Sequence, residues 1–182
     1  LTRAEERAQG TALDRRILTS RAALHESAGH IEAALSTLNR LVKLVDEAGE
    51  RAATLEKMGD LARSLGQHQP ALIHYQGSFR ADRGRTTATK KAVAVYFELG
   101  REEQAKQILD VLQTQIGDGD AAAERELAEQ YLKAAEALLV KPQAHGVVKD
   151  ALDRAARLAP DVARTKTLRA ELEAFPTAWK DH

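Results

Sequence analysis

The metal-ligand inventory of this chain is six histidines, 27 acidic residues and no cysteine. The stretch His25-Glu26-Ser27-Ala28-Gly29-His30 comes within one residue of a helical zinc motif. That chemistry needs two His at i and i+4 on one helix face, with the Glu between them as general base. Here the two are five apart, about 140° round a helix of 3.6 residues per turn, and Gly29 is placed to end the helix between them. The expectation is that His25 packs within a helix pair and His30 opens the next helix. His68 and His74 are six apart and fall on different faces, while His145 and His182 have no acid or His at helical ligand spacing. The missing cysteines remove disulfides, thiol catalysis and Cys-based zinc sites.

Asp118-Gly119-Asp120 hints at a calcium loop, which needs oxygen ligands at alternate places, a central Gly and a Glu at the twelfth. Glu129 holds the twelfth place, but Ala122 and Ala123 stand where a third ligand and the Gly belong. Asp120 is better read as a helix N-cap, with Glu124 near the first turn of the helix it caps. Gly84, Gly117 and Gly119 precede no GxxxxGK and follow no strand, so they cradle no phosphate. Ser20, Ser27, Ser36, Ser64 and Ser78 lack the G-x-S-x-G elbow. The paired carboxylates Glu5-Glu6, Glu102-Glu103 and Glu124/Glu126 fit helix starts and solvated faces, and nothing holds them in a cleft for acid–base work. The reading is no enzyme, no cofactor and no metal.

Lys plus Arg and Asp plus Glu balance at 27 each, with a pI near 7.2. Such a chain has no bulk attraction for nucleic acid or anionic lipid. Hydrophobic residues reach 43% with only 4% aromatic, so Ala and Leu must build the core, a composition that favours helix. No run approaches the ~20 apolar residues of a membrane span. The chain begins with Leu1 rather than Met, and the expectation is a fragment of a longer protein, with any upstream signal out of view. The compartment stays open, with the cytoplasm the first expectation.

Helical periodicity runs throughout. Ile31, Ala34, Leu35, Leu38, Leu41, Val42 and Val45 recur at i, i+3, i+4 and i+7, as do Leu55, Met58, Ala62 and Leu65, and Ile108, Leu109, Leu112 and Ile116. The most strand-like run, Val93 to Phe97, continues into Glu98-Leu99-Gly100 and fits a buried helix face. Breaks fall at Gly29, Gly49, Gly66, Gly84, Gly100, Gly117 and Gly119. That predicts about eight or nine helices with short connections, hence antiparallel hairpins.

The breaks repeat. Leu65-Gly66, Ala71 and Tyr75 return 34 residues on as Leu99-Gly100, Ala105 and Leu109. A variant lies 37 residues back, in Gly29, Ala34 and Leu38. This grammar resembles the tetratricopeptide repeat, a 34-residue helix-turn-helix. Counting Ala52 as the first position, its signature places hold Leu55, Met58, Gly59, Ala62, Gly66, Ala71, Tyr75 and Ser78. The unit from Thr86 holds Thr89, Ala92, Val93, Tyr96, Gly100, Ala105, Leu109 and Leu112; the unit from Arg15 holds Leu18, Arg21, Ala22, His25, Gly29, Ala34, Leu38 and Leu41. The family's Trp is missing from every unit, and its closing Pro from these three.

The resemblance implies an all-α fold, with antiparallel helix pairs stacked in a right-handed superhelix, an α-solenoid. One repeat domain over 1–182 is expected. It comprises clear units at 15–51, 52–85 and 86–119, a degenerate unit at about 121–160 closed by Pro160, and a capping helix at about 162–174. Counting back from Pro160 starts the degenerate unit near Glu129, some nine residues late. The first nine residues fit the tail of an earlier helix.

In such a stack the first helix of each pair lines a concave groove, and the implied function is non-catalytic scaffolding of a peptide or protein partner. Groove positions carried over are Arg16, Thr19, Ala23, Glu26 and Ser27, then Ala53, Glu56, Asp60, Arg63 and Ser64, then Thr87, Lys90, Ala94, Phe97 and Glu98. The contact residues expected are Glu56, Asp60, Arg63, Lys90 and Phe97, with Phe97 either groove anchor or core. Members that clamp a C-terminal carboxylate use Lys, Asn and Arg where this chain has Thr19, Ala23, Lys57, Thr87 and Lys91, and only Lys91 is similar. The basic stretch Arg80, Arg83, Arg85, Lys90 and Lys91 is either a solvated turn or a patch for an acidic partner; too few aromatics interleave it for nucleic acid. The alternatives are a regulatory domain that senses a small molecule and a module that self-assembles through its open solenoid ends.

Overall fold

The structure is a computed structural model and describes residues 3–117 and 119–174. Asp118 of the calcium-like loop and His182 lie outside the described residues. Among the described residues nine α-helices follow one another: α1 (Arg3–Ser27), α2 (Ile31–Leu41), α3 (Ala48–Ser64), α4 (His68–Ala81), α5 (Thr86–Glu98), α6 (Glu102–Ile116), α7 (Ala121–Leu139), α8 (His145–Leu158) and α9 (Ala163–Ala174). A turn of 3₁₀ helix, Pro142–Ala144, precedes α8. No strand occurs among the described residues, and Val93–Phe97 lies inside α5. The chain is all-α, built of antiparallel helix pairs.

The periodic Gly residues do what their spacing implies. Gly66 and Gly100 follow α3 and α5 with φ of 70° and 63°, a conformation open to Gly because it carries no Cβ. Each closes its helix with the same two bonds: Gly66 N–H to Arg63 C=O and Gln67 N–H to Ala62 C=O, then Gly100 N–H to Phe97 C=O and Arg101 N–H to Tyr96 C=O. This pairing satisfies carbonyls that the helix end would orphan.

Gly49 departs from expectation. It lies in the first turn of α3 rather than after a helix. The Glu47 carboxylate accepts from Gly49 N–H at 2.9 Å and Glu50 N–H at 2.5 Å, so an acidic cap starts the helix there, and those two bonds hold the Glu47 carboxyl below its usual range. The N-terminal residues also differ from expectation. From Arg3 onward they continue into α1 without a break, so they extend the first helix and form no separate one.

Two compact units divide the chain, residues 1–88 and 89–182. In the first, α1 pairs with α2 and α3 with α4. Leu18 and Ala22 of α1 meet Ala34, Leu38 and Leu41 of α2, with Val45, Met58 and Leu61, in one apolar cluster. Gly59 of α3 lets Tyr75 of α4 lie against the helix backbone. A Cβ at position 59 would come 2.4 Å from Tyr75 Cε1. Tyr75 is 1% exposed and its hydroxyl donates to Asp60 Oδ1 at 2.9 Å. Burial, then that carboxylate, push the phenol's pKa upward.

In the second unit, Leu109 and Leu112 of α6, Leu127, Tyr131 and Leu138 of α7, and Leu152 of α8 form the core with Val93 of α5. Each such fully buried side chain contributes roughly 1.5–3 kcal/mol relative to exposure. A polar network ties α6, α7 and α8. The Tyr131 hydroxyl donates to Asp110 Oδ1 at 2.8 Å and contacts Gln113 Oε1 at 3.2 Å. Arg154 of α8 donates to Asp150 at 3.0 Å and to Gln113 at 2.9 Å, and Lys106 pairs with Asp110 and Asp150.

Candidate interaction surface

One spacing recurs on three helices. Glu56, Asp60 and Arg63 on α3, Lys90, Ala94 and Phe97 on α5, and Glu126, Gln130 and Lys133 on α7 each stand at i, i+4 and i+7. That spacing keeps the three residues of each set on one helix face.

In residues 1–88 the α3 set is engaged from within. Glu56 is 6% exposed, and its Oε2 accepts from Arg85 Nε at 2.5 Å and Thr87 Oγ1 at 2.8 Å. A buried carboxylate survives because such donors replace its water. Sequence reasoning took Arg85 for part of a basic stretch; here it is the counter-ion of Glu56. Asp60 is exposed and accepts the Tyr75 hydroxyl, and Arg63 is half-buried beside the same phenol.

In residues 89–182 the α5 set opens on a cavity of about 240 Å³. Leu109, Leu112 and Ile116 of α6 with Val93 and Leu127 form an apolar floor. Lys90, Phe97, Glu126, Gln130 and Lys133 complete its lining. Lys90 Nζ pairs with Glu126 Oε2 at 2.6 Å. The Lys133 ammonium sits 4.5 Å from the Phe97 ring centre, a cation–π contact. Phe97 is half-buried against the core and forms part of the cavity wall.

The structure thus brings Lys90 and Phe97 to one cavity, with Glu126, Gln130 and Lys133, which sequence reading missed. Counting back from Pro160 had started the last unit near Glu129. Ala123, Glu126, Gln130 and Lys133 instead match Thr87, Lys90, Ala94 and Phe97 at a constant offset of 36 residues, a signal that a strict 34-residue register hides.

Elsewhere the chemistry is structural. Asp120 caps α7, accepting from the N–H groups of Ala122 and Ala123 at 3.1 Å each, and Glu124 accepts from Gly119 N–H at 2.8 Å. The His25 and His30 rings lie 6.3 Å apart, and Arg21 Nε donates to His25 Nε2 at 3.4 Å. No group of three or more potential metal ligands occurs among the described residues. Besides Glu47, Glu102 is lowered by Lys141 and Asp150 by Lys106 and Arg154, and these two are members of ion pairs. No helix among the described residues is long and apolar enough to cross a membrane.

This arrangement of helix pairs is found in solved tetratricopeptide structures. A tetratricopeptide repeat protein from Parabacteroides merdae is similar with a TM-score of 0.57 at 19% identity, over 88% of this chain. The chain spans 59% of the length of that protein. MamA from Desulfovibrio magneticus RS-1 is similar with a TM-score of 0.53 at 16% identity, covering 92% of this chain and 94% of its own. A further MamA crystal structure gives 0.54 at 16% identity, covering 92% of this chain and 88% of its own. No family model matches the sequence, and no curated protein matches it. The fold is an all-α, tetratricopeptide-like one.

Proposed function

We propose that the chain is a non-catalytic scaffold that binds a peptide or protein segment on the first-helix faces of its repeats. One observation carries this reading: the cavity of residues 89–182, where Phe97 and an apolar floor are ringed by Lys90, Glu126, Gln130 and Lys133. An aromatic wall over an apolar floor can anchor a partner's side chain. A rim with both charge signs selects among partners more than it strengthens binding. In residues 1–88, the corresponding face of α3 gives Asp60 and Arg63 as contacts, with Glu56 holding Arg85 and Thr87 in place beneath them. Tetratricopeptide-like folds are commonly such scaffolds, which agrees with this reading. A transient, micromolar interaction is expected, on the order of −8 kcal/mol.

The test is photo-crosslinking from a benzophenone amino acid at Gln130, followed by affinity measurement with the partner captured. Phe97→Ala should weaken that partner by roughly tenfold or more, about 1.4 kcal/mol, with helicity unchanged. Crosslinks obtained instead from probes at the exposed Gln76 and Arg80 would place the partner on a second-helix face and reject this surface.

A further inference from the structure

The charges around the cavity of residues 89–182 bear on what its occupant carries. Helix α6 lines it with Leu109, Leu112 and Ile116 alone. Helix α5 brings one charge, Lys90, and α7 brings two, Glu126 and Lys133. Lys90 and Glu126 neutralise each other at 2.6 Å. Lys133 is left over. It is exposed, and its ammonium lies over the Phe97 ring with no carboxylate in ion-pair reach among the described residues. The face of a ring attracts a cation through its quadrupole, which does not cancel the charge as a carboxylate would.

Two more acids of α7 stand about one turn from Lys133, and neither is paired with it. Glu136 is the partner of Arg164. Glu129 borders a second hollow of about 530 Å³, formed with Leu132, Val162 and Arg164. Gln130 and Lys133 line both hollows and make the ridge between them. From that ridge the lysine leans over Phe97, and Glu129 is in no ion pair among the described residues. The cavity therefore offers an apolar floor, one neutralised pair and one surplus positive charge at its lip.

We propose that the segment bound there carries an Asp or Glu beside its apolar anchor, with the carboxylate received by Lys133 against the Phe97 ring. This rests on the reading that the cavity is the binding surface, and it adds the sign of charge that the partner brings. The carboxylate belongs to a side chain within the segment. The floor takes the apolar side chain, the lip takes the acid, and the chain runs on across Gln130 into the second hollow. An exposed ion pair discriminates by up to about fivefold, so Lys133 selects the partner while the floor anchors it.

The test is selection of random peptides, displayed inside a carrier protein without free ends, on the full chain with the benzophenone probe at Gln130. Among binders that crosslink, Asp and Glu should be enriched beside an aliphatic or aromatic residue. Selection on Lys133→Glu should enrich Lys and Arg there instead. One acidic binder is then remade as a fluorescein-labelled peptide, with and without its Glu→Gln change. That change should weaken binding to the parent chain about fivefold in fluorescence anisotropy and leave binding to Lys133→Gln unaltered. The first of these measurements needs no variant of the chain, and circular dichroism checks that Lys133→Gln keeps its helicity. Crosslinked binders without acidic enrichment overturn the proposal and leave the binding surface standing. An equal loss on Lys133→Gln does the same, because it places the carboxylate elsewhere. So does an acidic preference seen only in Glu129→Gln, which would make Glu129 the partner of Lys133. Binders that never crosslink at Gln130, or a library that yields none, reject the surface and the proposal with it.

Discussion

Replacing Gly59 by Ala is the sharpest test of the packing inside the α3–α4 pair. Two effects oppose each other. In a helix interior, Ala is favoured over Gly by about 0.8–1 kcal/mol. The new Cβ would stand 2.4 Å from Tyr75 Cε1 and 2.6 Å from Cδ1, inside van der Waals contact. The ring has little room to retreat, being 1% exposed with its hydroxyl bonded to Asp60. Overpacking of this kind costs about 1–3 kcal/mol, so the net effect is a loss of roughly 0–2 kcal/mol. With Tyr75→Leu in place the ring is gone and the helix preference alone remains, so Gly59→Ala should then stabilise by about 0.8–1 kcal/mol. The coupling across the double-mutant cycle is therefore about 1–3 kcal/mol. Urea unfolding followed by circular dichroism measures all four proteins. If Gly59→Ala raises stability equally in both backgrounds, the close approach of α3 to Tyr75 is refuted.

The remaining predictions concern small residues, caps and charge. Ala71 and Ala105 are fully buried, and Leu at either should lower stability by about 1–3 kcal/mol, seen as a thermal midpoint lower by roughly 2–4 °C per kcal/mol. Asp120→Ala removes the acceptor shared by Ala122 and Ala123 N–H and should cost about 1 kcal/mol, largely restored by Asp120→Asn, in urea titrations. The Asp150 carboxyl is held below its ordinary range by Lys106 first and Arg154 as well. The folded chain therefore binds fewer protons there than the unfolded one. Its stabilisation is present above the ordinary carboxylate value and lost as pH falls through the lowered one. Urea midpoints of the parent and of Asp150→Asn should converge as pH falls from neutral into the acid range, and a gap that stays constant with pH would count against the pairing.

Backbone signals were legible because they are local. Gly66 and Gly100 take a conformation that few other residues accept, so their 34-residue interval marks helix ends directly. Which side chains share a helix face was legible for a similar reason, since i, i+4, i+7 spacing fixes it. Gly49 misled because Gly also tolerates a helix's first turn when a carboxylate such as Glu47 supplies the cap. Glu56 was taken for a contact residue, and its burial depends on Arg85 and Thr87, 29 and 31 residues away. No local pattern announces such a partnership. The α7 face was hidden by two extra residues of spacing, which a rigid period treats as noise and a helix absorbs in the turn before it.

The network of Tyr131, Asp110, Gln113, Arg154, Asp150 and Lys106 bears on how a chain like this can be lengthened or recombined. Repeat proteins grow by copying whole helix pairs, each of which needs only its neighbours. Here α7 and α8 make one pair, and the polar groups tie it to α6 before it. A duplication or module swap that cut between α6 and α7 would leave the Tyr131 hydroxyl without its carboxylate and gather Arg154 around one acid fewer. Each buried polar group orphaned in this way costs about 1–3 kcal/mol. A piece that carries α6 together with α7 and α8 keeps this network whole, and a cut between α6 and α7 breaks it.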